Sequence, residues 1–154
     1  MEYNKKIKLL DCTLRDGGSV NKWSFGSKNI LNILQCLNES NIDIVEIGFL
    51  QDNYLSCPDN TISEQTSAFD EKLRLIENKH FKAVVMIDLG KYDIKKLPDK
   101  DKTLIDGIRL MFKREQMNDA FEYSKIIIDK GYSISLNPVS VTTYKENDIE
   151  NICG

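Results

Sequence analysis

Five short runs rich in Ile, Val, Leu and Phe recur along the chain, separated by stretches whose apolar residues fall at helical spacing. The runs are KIKLLDC (6–12), IDIVEIGF (42–49), KAVVMIDL (82–89), GIRLMF (107–112) and YSISLN (132–137). Each is short and has turn residues nearby, so each reads as a strand. Between the first two, SKNILNILQCLNESN (27–41) places Ile30, Leu31, Ile33, Leu34 and Leu37 on one stripe, with Ser27 as the expected N-cap. SEQTSAFDEKLRLIENK (63–79) repeats the pattern with Phe69, Leu73 and Ile76, and with Ser67 and Asp70 as an internal capping pair. EQMNDAFEYSKIIIDKG (115–131) sets Met117, Ala120, Phe121, Ser124, Ile127 and Ile128 on one face and ends at Gly131, a suitable residue just past a helix. The remaining connection, KYDIKKLPDKDK (91–102), is charged and broken by Pro98, which predicts a short helix or an irregular connector.

Strands alternating with helices at this spacing dictate right-handed crossovers and a parallel sheet, so the expected class is α/β. No linker, low-complexity tract or charge block divides the sequence, and residues 1–154 read as one domain. Two parallel architectures compete. A doubly wound sheet calls for a glycine-rich phosphate turn after the first strand, and RDGGSVNKW (15–23) is not G-x-G-x-x-G. A TIM (β/α)8 barrel explains instead why the strand ends carry polar residues: Arg15 and Asp16, Glu46, Asp88, Lys113 and Arg114, and Asn137. The expectation is a partial barrel of about five βα units, its strands in sequential order and its helices on one face.

Most charges at strand ends only mark where the chain meets water, which is the plain reading of Asp88, Lys113 and Arg114. Asn137 precedes Pro138, and Asn-Pro starts turns as readily as it binds ligands. Glu46 differs because it lies within IVEIGF, opposite Val45 and Ile47. A carboxylate inside such a run has to be paired, ligating, or placed where the strand leaves the core.

Composition narrows the function classes. The net charge is -3, with 21 Lys and Arg spread among 24 Asp and Glu, so no basic face for nucleic acid is expected. The N-terminal MEYNKKIKLLDC is too short in apolar residues for a signal peptide, and no segment is expected to span a membrane. The expected location is cytoplasmic. Cys12, Cys36, Cys57 and Cys153 form no CxxC pair and read as free thiols, and the single histidine, His80, falls before the third strand, on the side of a barrel away from the chemistry.

The segment LLDCTLRDGG (9–18) matches the pattern D-x-T-L-R-D-G. It resembles the first-strand signature of the metal-dependent carbon-carbon lyase and synthase superfamily that includes 4-hydroxy-2-oxovalerate aldolase, hydroxymethylglutaryl-CoA lyase and isopropylmalate synthase. VEIGF (45–49) is similar to the second strand of that family. The resemblance implies a TIM barrel that cleaves a 4-hydroxy-2-oxo acid through a metal-stabilised pyruvate enolate. It implies Asp16 as a ligand of Mn2+ or Mg2+ and Arg15 as the cation beside the enolate oxygen. Arg15 and Glu46 are thus the candidate catalytic residues, and Arg15 and Asn137 the candidate contacts to a small 2-oxo acid.

The chain departs from the family pattern at three points. It has no His-x-His pair, which in the family completes the metal site on a late strand. Ser19 stands where the oxovalerate aldolases carry a histidine base, and Gly18 where isopropylmalate synthases carry Glu. A full barrel takes about 250 residues. The expectation is therefore the N-terminal part of a longer barrel, inactive by itself. The alternative is a non-catalytic half-barrel that binds a complementing C-terminal segment or forms a homo-oligomer.

Overall fold

The computed structural model describes residues 7–153; the first six residues, where the first expected strand and the leader reading begin, and the side chain of Cys153 lie outside the described residues. Its elements are β1 (Leu10–Asp11), α1 (Thr13–Asp16), α2 (Ser27–Glu39), β2 (Ile44–Leu50), β3 (Ile62–Ser63), α3 (Ser67–Leu73), β4 (Lys82–Asp88), β5 (Gly107–Phe112), α4 (Met117–Asp129), β6 (Ser133–Pro138) and α5 (Glu146–Cys153). The sheet is parallel throughout, with the order β1-β2-β4-β5-β6 and β3 paired to β2. The five expected strands thus lie in sequential order, which excludes the doubly wound alternative. The sheet curls into a half-barrel. No helix among the described residues is long and apolar enough to cross a membrane.

Alternation along the strands sorts side chains onto two faces. Val45, Ile47, Leu50, Ala83, Val85, Ile87, Ile108, Leu110 and Phe112 join Ile30 and Leu34 of α2, Phe69 and Leu73 of α3, and Ala120 and Ile127 of α4 in one apolar cluster. This is the outer core of a barrel wall. In place of a helix, two 3-10 turns at Ile94–Lys96 and Lys100–Lys102 follow β4, and Tyr92, Ile94 and Leu97 fill the space a helix would cover.

Local expectations fail where a side chain finds a better partner elsewhere. β1 is only two residues long because Asp11 accepts from Thr13 N at 3.0 Å and from Thr13 Oγ1 at 2.9 Å, which turns the chain into α1. The edge of β2 that β1 vacates is taken by β3, which the sequence pattern does not reveal. Gly26, not Ser27, precedes α2, and Ser27 N donates to Asp59 Oδ1 at 2.7 Å, so a distant loop caps the helix. Asp70 is no cap: it is buried and accepts from Thr103 Oγ1 at 2.7 Å and Leu104 N at 2.8 Å, tying α3 to the entry of β5. α3 starts only at Ser67 because Ser63 is spent in β3, and it ends at Leu73. In α4 the buried stripe runs through Met117, Ala120, Tyr123 and Ile127, leaving Ile128 exposed; Gly131 follows the helix at φ 89° as expected.

Candidate functional site

The segment TLRDGG, which follows the first expected strand (6–12), folds as a helical turn. Leu14 is buried in the outer core, which directs its neighbour Arg15 toward the inner face of the sheet. Two side chains hold the turn by its carbonyls. Thr61 Oγ1 donates to Leu14 O at 2.7 Å, and Trp23 Nε1 donates to Arg15 O at 2.7 Å. Gly18 contributes by being small: a Cβ there would lie 2.1 Å from Trp23 Cδ1, so the indole packs against it only because no side chain intervenes.

Arg15 reaches Glu46, whose side chain is 0% exposed, with Nε donating to Oε2 at 2.6 Å. Its Nη1 donates to Asp16 Oδ1 at 2.7 Å, and its guanidinium carbon lies 5.9 Å from the centre of the Phe49 ring. Trp23 meets Phe49 edge-on with centroids 5.5 Å apart. From the other side Arg109 Nη1 stands 2.9 Å from Glu46 Oε1, an ion-pair contact without hydrogen-bond alignment, while Arg109 Nη2 donates to Asn137 Oδ1 at 2.9 Å. Of the three fates open to Glu46, pairing is the one observed, and it is paired twice. Burial lowers the Arg15 pKa, yet the hydrogen bond and charge of Glu46, with Asp16 adding to them, leave it above the ordinary arginine value.

The structure thus gathers Arg15, Asp16 and Glu46 around one guanidinium and links Asn137 to them through Arg109. Asp88 and Arg114 instead form ion pairs with Lys91 at 2.7 Å and Asp148 at 2.7 Å, and Lys113 is exposed. His80 is exposed before β4, its N–H donating to Asn38 Oδ1 at 3.1 Å. Arg109 was missed, although the signal that singles out Glu46 applies equally to it: a charge inside an apolar run, GIRLMF against IVEIGF. Two such charges of opposite sign, on strands separated by β4 alone, are candidates for pairing across the inner face of the sheet.

Asp16 was expected to ligate a cation. Its side chain is 70% exposed and already accepts from Arg15. Among the described residues no group of three His, Cys, Asp or Glu side chains stands close enough to hold a metal ion. The donors present do not fit such a site, and no chemical step is derived through one.

Comparison with solved structures finds chains of similar fold. A solved structure described as the "N-terminal domain of a putative aldolase from Bacteroides vulgatus" superposes with a TM-score of 0.69 at 23% identity, over 93% of this chain and 48% of the other. The likeness shows the fold. This chain spans about half the length of the chain it resembles. No family model and no curated protein matches.

Proposed function

We propose that this half-barrel carries the oxyanion-binding part of an aldolase-type lyase that cleaves a 4-hydroxy-2-oxo acid to a pyruvate enolate and an aldehyde. The observation that carries this reading is Glu46, a fully buried carboxylate held between Arg15 and Arg109 on the face that a barrel turns inward. Breaking the carbon-carbon bond beside a ketone delivers an electron pair to the ketone oxygen. A cation already fixed at that oxygen lowers the barrier because it needs no reorganisation as the charge forms. Arg15 is fixed in this way: Nε and Nη1 are committed to Glu46 and Asp16, leaving Nη2 with no protein acceptor among the described residues. In this scheme Arg15 touches the substrate, Glu46 positions it, and Asn137, held by Arg109, faces the substrate carboxylate or carbonyl. The description of the Bacteroides structure as the "N-terminal domain of a putative aldolase" supports the reading.

Oxalate, a planar dianion with the shape of pyruvate enolate, tests it. Calorimetry should show oxalate binding that Arg15→Ala weakens by at least about tenfold, whereas Lys113→Ala, away from the cluster, leaves it unchanged. In a preparation that turns over substrate, Arg15→Ala should lower kcat by about 100-fold with a smaller change in KM, because the charge is used most in the transition state. Absent oxalate binding, or binding indifferent to Arg15, removes the proposal.

The open inner face favours a second reading, in which a further copy of the chain closes the barrel. Leu10, Ile44 and Val84 line a cleft of about 240 Å³ there, and Ser133 and Ser135 are exposed on the last strand of the sheet. An unfilled inner face and a bare strand edge are association surfaces. Sedimentation is expected to show a species of at least twice the chain mass, and a monodisperse monomer with intact far-UV circular dichroism overturns this reading.

A further inference from the structure

On the outer surface, away from the Glu46 cluster, a groove of about 420 Å³ runs between α2 and the end of α3. Leu31, Pro58 and Leu75 form its apolar walls, and Lys72 reaches into it, with Lys28 and Glu71 also lining it. Leu75 is 61% exposed although it follows the buried helix α3, so apolar surface is left open there. Lys72 is half-buried, and its Nζ donates to the carbonyl of Ala68 at 2.9 Å rather than to a carboxylate.

We propose that Lys72 is the amine of a second site, an apolar groove that takes up an aliphatic aldehyde as an imine. A neutral amine has two N–H bonds and one lone pair. The Ala68 carbonyl accepts one N–H and thereby orients the nitrogen, while the lone pair is left for an electrophile. Burial lowers the Lys72 pKa below the ordinary lysine value; Glu71 on the same helix and Cys57 and Asp59 from the preceding loop act in the opposite sense, and Lys28 of α2 adds a cation to the same groove. Desolvation of a lysine in apolar surroundings is the usual means of making its amine nucleophilic near neutral pH. The lone pair adds to the aldehyde carbon to give a carbinolamine, and loss of water gives the imine. The walls of Leu31, Pro58 and Leu75 receive the alkyl tail, and the groove volume lies within the range of small-molecule sites.

The test is reductive trapping on the folded 154-residue chain. Hexanal and cyanoborohydride convert the imine to a secondary amine, which peptide mass mapping locates. Lys72 should be alkylated at least about ten times faster than Lys125, whose side chain is 67% exposed on α4 away from the groove, and the onset of its labelling should fall at lower pH. Formaldehyde, which has no tail, should reduce the preference to about twofold or less, and so should Leu75→Ser, an uncharged change at a position that is 61% exposed. Equal labelling of Lys72 and Lys125 by hexanal overturns the proposal, as does a preference that survives both formaldehyde and Leu75→Ser, since reactivity would then owe nothing to the groove.

Discussion

Glu46→Gln is expected to lower the stability of the chain by roughly 3 kcal/mol, the lower end of the range for breaking a buried ion pair. Glutamine keeps the shape and removes the charge. Two guanidiniums that shared one carboxylate, at 2.6 Å and 2.9 Å, would then face each other across an amide. The full penalty is not expected, because the Arg15 and Arg109 side chains are 18% and 19% exposed and Asp16 still pairs with Arg15. For a domain of this size a loss of about 3 kcal/mol corresponds to a fall in Tm of roughly 6–12 °C. Urea denaturation should show a lower midpoint with an unchanged slope. Adding Arg109→Met to Glu46→Gln removes the second unpaired charge and should recover part of the loss. A midpoint that does not move would mean that the carboxylate is not what holds the two arginines in place.

The alternation of strand and helix was legible because every repeat of it reflects the same constraint, an apolar face that must be covered by the next element. Right-handed crossovers required a parallel sheet, and the polar residues at the strand ends chose the sequential order of a barrel over the doubly wound one. The signature around Arg15 and Asp16 was legible as sequence, but its conformation was not: a local bond from Thr13 to Asp11 stops β1 and starts a helical turn, a competition no periodicity displays. Arg109 escaped because only the register shows that the two charges share a face: Arg109 lies opposite Met86, and Glu46 lies opposite Val84, two residues before Met86 on β4. Phe49 is a similar case. Strict alternation from Glu46 puts Phe49 with the outer core, yet the register shifts between Glu46 and Phe49, so Phe49 turns inward to meet Arg15 and Leu50 turns outward in its place. β3 was hidden because two residues carry no period.

That register shift is also where the largest single-residue effect through packing is expected. Gly48 lies within it at φ 153°, and a Cβ built on it would fall 1.9 Å from the carbonyl oxygen of Thr61 and 2.9 Å from the Phe69 ring. The Thr61 carbonyl cannot simply withdraw, because it accepts from Phe49 N at 2.9 Å in the pairing that forms β3. Gly48→Ala is therefore expected to cost about 2–6 kcal/mol, combining overpacking of about 1–3 kcal/mol with backbone strain of similar size. The damage should also travel in a definite direction. Displacing Thr61 loosens its hydroxyl from Leu14 O, and its N–H from Trp23 O at 2.9 Å, so the turn that presents Arg15 loses one of its two side-chain anchors. Trp23 is the only tryptophan in the chain, and its indole bonds to Arg15 O, so its fluorescence reports on that turn. Gly48→Ala should shift the tryptophan emission to longer wavelength in the folded state and lower Tm together. A folded variant within about 1 kcal/mol of the parent and with unchanged emission would show that the close approach of β2 to Thr61 does not hold Arg15 at the inner face.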